Sequence, residues 1–353
     1  MHFRAVGTAT PAARFTKAQC LQAFRESSWF GRLDARAHFI AERVLRHDNG
    51  IEARHLALDS LADVFTIEPD TLARRFLAHA PVLAADAGAR ALAQAGLAPQ
   101  AIGAVVVSTC TGYLCPGLSG YVIERLGLAA DVQAFDLVGQ GCAAALPNLQ
   151  LCRSLLRAGG IDHVLSICVE VSSAAMYLDN DPGVLISACL FGDGAGAAVL
   201  SRNCAGAARS LEWMDTASLM DAQRRRELQF ELRGGLLRNI LTRAVPTLAA
   251  GYAQRVLSTV LTRAGLQPSD IDVWIVHPGG RDVLLALEQR LGISAHALRY
   301  SSAVLRDYGN LSSASVYFVL EAALADAAPP GWWWLSSFGA GFSCHGALLR
   351  VSA

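Results

Sequence analysis

Ala95-Gly96-Leu97-Ala98-Pro99-Gln100-Ala101-Ile102 returns as Ala264-Gly265-Leu266-Gln267-Pro268-Ser269-Asp270-Ile271, an offset of 169 residues (264 minus 95). Each copy follows a helical stretch, Pro81 to Ala95 and Ala249 to Ala264, and precedes an apolar run that reads as a buried strand, Ala104 to Val107 and Val273 to Val276. Each strand gives way to a loop holding Gly and Pro, Cys110 to Gly117 and His277-Pro278-Gly279-Gly280. Another helical stretch then closes on Leu126-Gly127 or Leu291-Gly292. The same order in both places predicts two copies of one unit. Further strands are expected at Gln133 to Val138, His163 to Glu170, Ala195 to Ser201, Trp332 to Ser336 and Gly346 to Val351, with a helix from Cys142 to about Ala158. Strands alternating with helices predict an α/β fold of parallel sheets with right-handed crossovers. Two halves, 1–209 and 210–353, would pack in layers, with ligand sites at the carboxyl ends of strands.

Composition narrows the function. The 353 residues carry 30 basic and 30 acidic side chains, so no electrostatic footprint for nucleic acid is present. Hydrophobic residues make up 53% and charged residues 17%, enough to bury a large core. The longest apolar runs, such as Gly194 to Leu200, fall well short of the roughly 18 to 20 residues that span a bilayer. An integral membrane protein is therefore not expected, and the start Met1-His2-Phe3-Arg4-Ala5-Val6-Gly7, without a signal-peptide pattern, points to the cytoplasm. The nine cysteines include no C-x-x-C pair, so neither a metal site nor a redox dithiol is expected.

Cys142 stands out in Gly139-Gln140-Gly141-Cys142-Ala143-Ala144-Ala145, where a strand turns through glycines into an Ala/Leu-rich helix. Unpaired amides and the macrodipole at a helix N-terminus favour an anion, which would lower the thiol pKa. His277 ends the strand Trp274-Ile275-Val276, where an imidazole can pair with a thiolate and donate to a developing oxyanion. His2, His38, His47, His55, His79 and His296 lie in polar or helical settings, His163 opens a strand and His345 follows a loop cysteine. Asn310, in Tyr308-Gly309-Asn310-Leu311-Ser312-Ser313, leads into a helix from Ser312 to Leu324 and is either a cap or a second donor beside His277. Leu190-Phe191-Gly192-Asp193-Gly194 and the glycine-rich loop Ser336 to Phe342 both lack the spacing of a dinucleotide site, so no nicotinamide or flavin is expected.

Together the Gly-Cys-Ala turn at Cys142, Leu190-Phe191-Gly192-Asp193-Gly194, Val276-His277-Pro278-Gly279-Gly280, Tyr308-Gly309-Asn310-Leu311-Ser312-Ser313 and Phe338-Gly339-Ala340-Gly341 resemble the type III polyketide synthases, the chalcone synthase family. The resemblance implies a thiolase-like α-β-α-β-α fold, a homodimer, and acyl-CoA and malonyl-CoA as substrates without a cofactor. It implies that Cys142 takes the starter acyl group, and that His277 and Asn310 hold malonyl-CoA and stabilise the enolate left by loss of carbon dioxide. Phe191 and Phe230 match gatekeepers, and Cys115 matches a position reaching the partner's cavity. Thr111, Ser172 and Ser312 match cavity-lining positions, and Gly339 and Gly341 flank the Ala340 loop. Lys17 is the only lysine, so Arg43, Arg46 and Arg54 are the candidates for CoA phosphate contact. Met176 to Cys189 and Gly341 to Gly346 resemble the bacterial alkylresorcinol and alkylpyrone synthases, which implies long fatty acyl starters and an apolar tunnel. Three other readings are distinguishable. A ketoacyl-ACP synthase III would carry His-Gln-Ala-Asn at 277–280 and condense once. A non-catalytic acyl-binding partner subunit would have a broken triad. A Cys-His-Asn hydrolase would release free acid without malonyl-CoA.

Overall fold

The computed structural model describes residues 1–46, 49–203 and 209–352, so His47 lies outside the described residues. The first half comprises β1 (His2–Ala9), β2 (Arg14–Thr16), α1 (Lys17–Glu26), α2 (Ala35–Arg46), β3 (Ala53–His55), α3 (Pro69–Ala95), β4 (Ala104–Ser108), α4 (Leu118–Leu126), β5 (Gln133–Leu137), α5 (Ala145–Ala158), β6 (His163–Glu170), α6 (Pro182–Leu190) and β7 (Gly194–Ser201). The second comprises β8 (Ser210–Met220), β9 (Leu228–Arg233), β10 (Leu236–Leu241), α7 (Val245–Ala264), β11 (Ile271–Val276), α8 (Arg281–Leu291), α9 (Arg299–Tyr308), α10 (Ser315–Ala325), β12 (Gly331–Gly339) and β13 (Ser343–Ser352).

The repeat read from sequence is visible in the strand order, β11-β12-β13-β8-β1-β7-β6-β4-β5. Reading outward from the β8-β1 seam, β1 matches β8, β7 matches β13, β6 matches β12 and β4 matches β11. The pairings agree: β4 with β6 and β11 with β12 are parallel, whereas β6 with β7 and β12 with β13 are antiparallel. The sheet is therefore mixed, not parallel as expected. β7 and β13 each arrive after a strand that points the other way, and fully buried runs such as Gly194–Ser201 carry no alternation to reveal direction. At the seam, β1 and β8 pair through His2 with Glu212 and Phe3 with Leu211.

Three clusters of buried side chains set the layers. One places α3 and α4 against the outer face of β1, β4, β6 and β7, and a second places α7 and α8 against β11, β12 and β13. Between the half-sheets lie α5 and α10, whose Leu146, Leu149, Cys152, Tyr317, Phe318 and Leu320 form one core with strands of both halves. The order is thus helix, sheet, helix, sheet, helix, as the resemblance implies.

Two expected boundaries move. Helix α3 begins at Pro69, twelve residues (81 minus 69) before the expected start, and Pro81 lies inside it. Proline suits a first turn, but buried Leu72, Phe76 and Ala80 carry a four-residue apolar stripe upstream, and that stripe decides. Strand β12 runs through Gly339, so much of the expected glycine-rich loop at 336–342 is paired strand against β13.

Candidate active site

Cys142 lies on a 3-10 turn, Gly141–Ala143, just ahead of α5 rather than on its first residue. Gly141 has φ +56, and a Cβ there would stand 3.0 Å from Ala340 Cβ, so the turn accepts little but glycine. Strand β12 of the second half closes on this turn. Ser337 Oγ donates to Ala143 O at 2.9 Å, and a Cβ on Gly339 would lie 2.5 Å from Ala143 N and 3.0 Å from Cys142 N. The Ser312 hydroxyl donates to Cys142 Sγ at 3.2 Å. Burial pushes the Cys142 thiol up to about 12; the Ser312 hydrogen bond works against that, and Glu170 adds to it. The lowering expected from the helix end is therefore overcome by burial.

His277 continues β11, its N–H donating to Ser336 O at 2.9 Å. It is 1% exposed, with its ring edge-on to Phe338 at 5.1 Å between centroids. Burial pushes its pKa down to about 3, and among the described residues its buried Nδ1 has no hydrogen-bond partner. Burial thus works against the charged forms of both groups, the thiolate of Cys142 and the imidazolium of His277. Asn310 follows Gly309 (φ +73); its Nδ2 donates to Gly279 O at 3.0 Å and its Oδ1 accepts from Ser312 N at 2.8 Å. Gly279 N in turn donates to His277 O at 3.0 Å. A continuous path of contacts therefore joins Cys142, Ser312, Asn310, Gly279 and His277. Phe338 and Gly339 are neighbours on β12, the first against His277 and the second against the Cys142 turn.

Cys142, Thr111, Ser172, Phe191, Phe230 and Ser312 all line one cavity, with about 750 Å³ of open space counting the solvent at its mouth. His277 and Asn310 are buried but do not line it. Gly339 and Gly341 shape the wall without lining it: Ala340 faces the cavity, and a Cβ on Gly341 would meet Met220 Sδ at 2.6 Å. Cys115 is exposed on the loop after β4 and lies outside this cavity. Arg43 and Arg46 are exposed on α2, Arg46 pairing with Glu42 at 3.3 Å. Arg54 is different: it is buried and bonded to backbone carbonyls, so it is removed from the phosphate candidates.

A polar network behind Cys142 escaped the sequence reading. Buried Glu170 accepts from Thr111 Oγ1 at 3.0 Å, Cys110 N at 3.0 Å, Thr109 Oγ1 at 3.3 Å and the Ser313 hydroxyl. Burial raises its pKa, and these donors oppose the rise. Cys110 Sγ lies 3.3 Å from both Glu170 Oε1 and Ser312 Oγ, joining the network to the Cys142 partner. The available signal was a carboxylate closing an otherwise apolar strand, Val164 to Val169.

Comparison with solved structures places this architecture among enzymes of one kind. The chain superposes on PKS-I of the brown alga Ectocarpus siliculosus with a TM-score of 0.88, at 27% identity, covering 99% of this chain and 97% of that one. The same TM-score relates it to 1,3,6,8-tetrahydroxynaphthalene synthase of Streptomyces coelicolor, whose 22% identity speaks for fold alone. Residues 12–216 match the family described as FAE1/type III polyketide synthase-like protein, and residues 219–352 match the chalcone and stilbene synthase C-terminal domain. The chain belongs to the type III polyketide synthase family. It is 31% identical over 296 residues to the alpha-pyrone synthesis polyketide synthase-like Pks18 of Mycobacterium tuberculosis, covering 79% of this chain and 74% of that protein. It is also 31% identical to 1,3,6,8-tetrahydroxynaphthalene synthase of Streptomyces peucetius, covering 98% and 92%. It is accordingly an acyltransferase, a malonyl-CoA-dependent polyketide synthase that uses CoA thioesters without a resident cofactor. No helix among the described residues is long and apolar enough to cross a membrane.

Proposed function

We propose that Cys142 takes a long-chain fatty acyl starter from CoA, that several malonyl-CoA units extend it, and that the product closes to an alkylpyrone or alkylresorcinol. The observation that carries this reading is the Ser312 hydroxyl 3.2 Å from Cys142 Sγ, in the same turn as Asn310 and at the wall of an apolar cavity. In the loading step a bond forms between Cys142 Sγ and the acyl carbon, the bond to CoA sulfur breaks, and the thiol proton leaves with CoA. Malonyl-CoA then loses its carboxylate as carbon dioxide, and the electron pair stays as an enolate on the thioester. His277 supplies one N–H to that oxygen and Asn310 the amide hydrogen not spent on Gly279. The enolate carbon bonds to the Cys142-bound acyl carbon, and the sulfur leaves and regains a proton.

The starter assignment is supported by a second cavity of about 480 Å³ lined by Phe24, Leu45, Val64, Leu178 and Leu185, among others, which shares Leu56, Met176 and Ala188 with the first. An acyl tail that threads both buries methylenes at about 0.8 kcal/mol each, so chain length would strongly affect affinity. Phe191 and Phe230 would gate the CoA side. The protein would act in the cytoplasm as a homodimer of chains divided at 209/210, in which exposed Cys115 would reach the partner's cavity. The test is product mass spectrometry with malonyl-CoA and a panel of starters: long-chain acyl-CoA should yield tri- or tetraketide pyrones or resorcinols. Turnover of aromatic starters alone would overturn the starter assignment.

A further inference from the structure

Arg54 on β3 points inward and is 7% exposed. Its Nη1 donates to Ala188 O at 2.8 Å and to Phe191 O at 3.0 Å. Those carbonyls close α6, where the last turn of a helix lacks intrahelical donors and carries the negative end of the dipole. The stem of the same side chain lies under Gly309. A Cβ on Gly309 would fall 3.0 Å from Arg54 Cγ, 3.3 Å from Cδ and 2.7 Å from Leu190 O. The next residue, Asn310, is stitched to the gate segment by backbone: its N–H donates to Leu190 O at 2.9 Å, and its carbonyl accepts from Gly192 N at 3.0 Å. Burial opposes the guanidinium charge, and Cys20, Cys189 and buried Asp193 favour it, leaving the Arg54 pKa raised.

One side chain therefore touches both segments that carry proposed functional groups, Phe191 from the first half and Asn310 from the second. We propose that Arg54, at the wall of the second cavity, is a positioning residue for the condensation step: it sets the spacing between the Phe191 gate and the Asn310 carboxamide. This rests on the roles proposed above for Phe191 and Asn310. In the roles proposed above, loading of Cys142 does not use Asn310, so it should survive loss of the guanidinium better than condensation does. A brace that only held the fold together would depress both alike.

The test uses the full-length chain with Arg54→Met and Arg54→Lys beside wild type and Asn310→Ala. Cys142 loading is followed by intact mass, condensation by kcat and KM, and backbone opening by hydrogen exchange at the Gly192 and Asn310 amides. For Arg54→Met, loading should persist while kcat falls about tenfold or more, since small misplacements can cost up to about a hundredfold. KM for malonyl-CoA, which does not reach the second cavity, should stay within about threefold, which separates loss of geometry from loss of uniform binding. Arg54→Lys, able to reach part of the carbonyl cluster, should recover an intermediate kcat, and both variants should exchange the two amides faster than wild type. Unchanged exchange, an unchanged kcat, or an equal fall in loading and condensation would overturn the proposal. Should Arg54→Met fail to fold, the split between loading and kcat and the exchange rates in Arg54→Lys decide by the same criteria. A wild type that makes no polyketide, or a fully active Asn310→Ala, would instead sink the proposed function, while the exchange result still judges Arg54's hold on the two segments.

Discussion

The loops that leave β4 and β11 start from equivalent places in the duplicated scaffold yet hold opposite kinds of chemistry. After β4, Thr109, Cys110 and Thr111 surround Glu170, so a buried carboxylate is answered by several donors. After β11, His277 packs against the Phe338 ring, and its Nδ1 has no partner among the described residues. One loop is polar and satisfied, and the other leaves a polar atom unspent. Duplication thus supplies two matched strand ends, and divergence of loops makes one a support and the other a candidate reacting group. In an enclosed site an unspent donor is where transition-state stabilisation can be stored, because no reorganisation is needed when charge develops.

The contrast can be broken most severely at the unspent end. His277→Gln should lower kcat for polyketide formation by about 10² to 10³, the usual consequence of removing one oxyanion donor, while Cys142 still accepts an acyl group. Steady-state kinetics beside intact mass would check both halves of that statement. At the satisfied end the effect should fall on stability. Glu170→Gln replaces an acceptor-only group with one whose NH₂ must face donors, and should cost about 1 to 3 kcal/mol in a denaturant titration. Equal stability would show that the network is slack.

The smallest effect sharpens the comparison through pH. Burial pushes the Cys142 thiol up to about 12 and the His277 imidazole down to about 3, so it favours the neutral form of each. The reactive thiolate is then a minor species that grows about tenfold per pH unit. Iodoacetamide alkylation of Cys142 should therefore rise steadily from pH 6 to 9, in wild type and in His277→Gln alike. A plateau near neutrality that His277→Gln abolishes would restore the ion pair expected from sequence.

Much of this was legible before any coordinates. The Ala-Gly-Leu repeat located β4 and β11, and the turns read around Cys142 and Asn310 meet through Ser312. What stayed hidden has physical reasons. The direction of β7 could not be read from a run buried on every side. Pro81 mimicked a helix start because proline suits a first turn, although the stripe Leu72, Phe76, Ala80 continued behind it. The hairpin of β9 and β10 turns at Gly234-Gly235, a signal that was present but passed over. The Glu170 network was out of reach, since Ser313 lies 143 residues away along the chain and nothing local predicts their meeting. Arg54 misled for the opposite reason, a cation that composition assigns to the surface and the fold spends on carbonyls.

The central claim is that Cys142 forms the covalent acyl intermediate, and intact-protein mass spectrometry after incubation with a long-chain acyl-CoA alone tests it most directly. Wild type should gain the mass of one acyl group, removable by hydroxylamine, and Cys142→Ala should gain nothing and make no polyketide with malonyl-CoA. An acyl adduct of equal yield on Cys142→Ala would contradict the account.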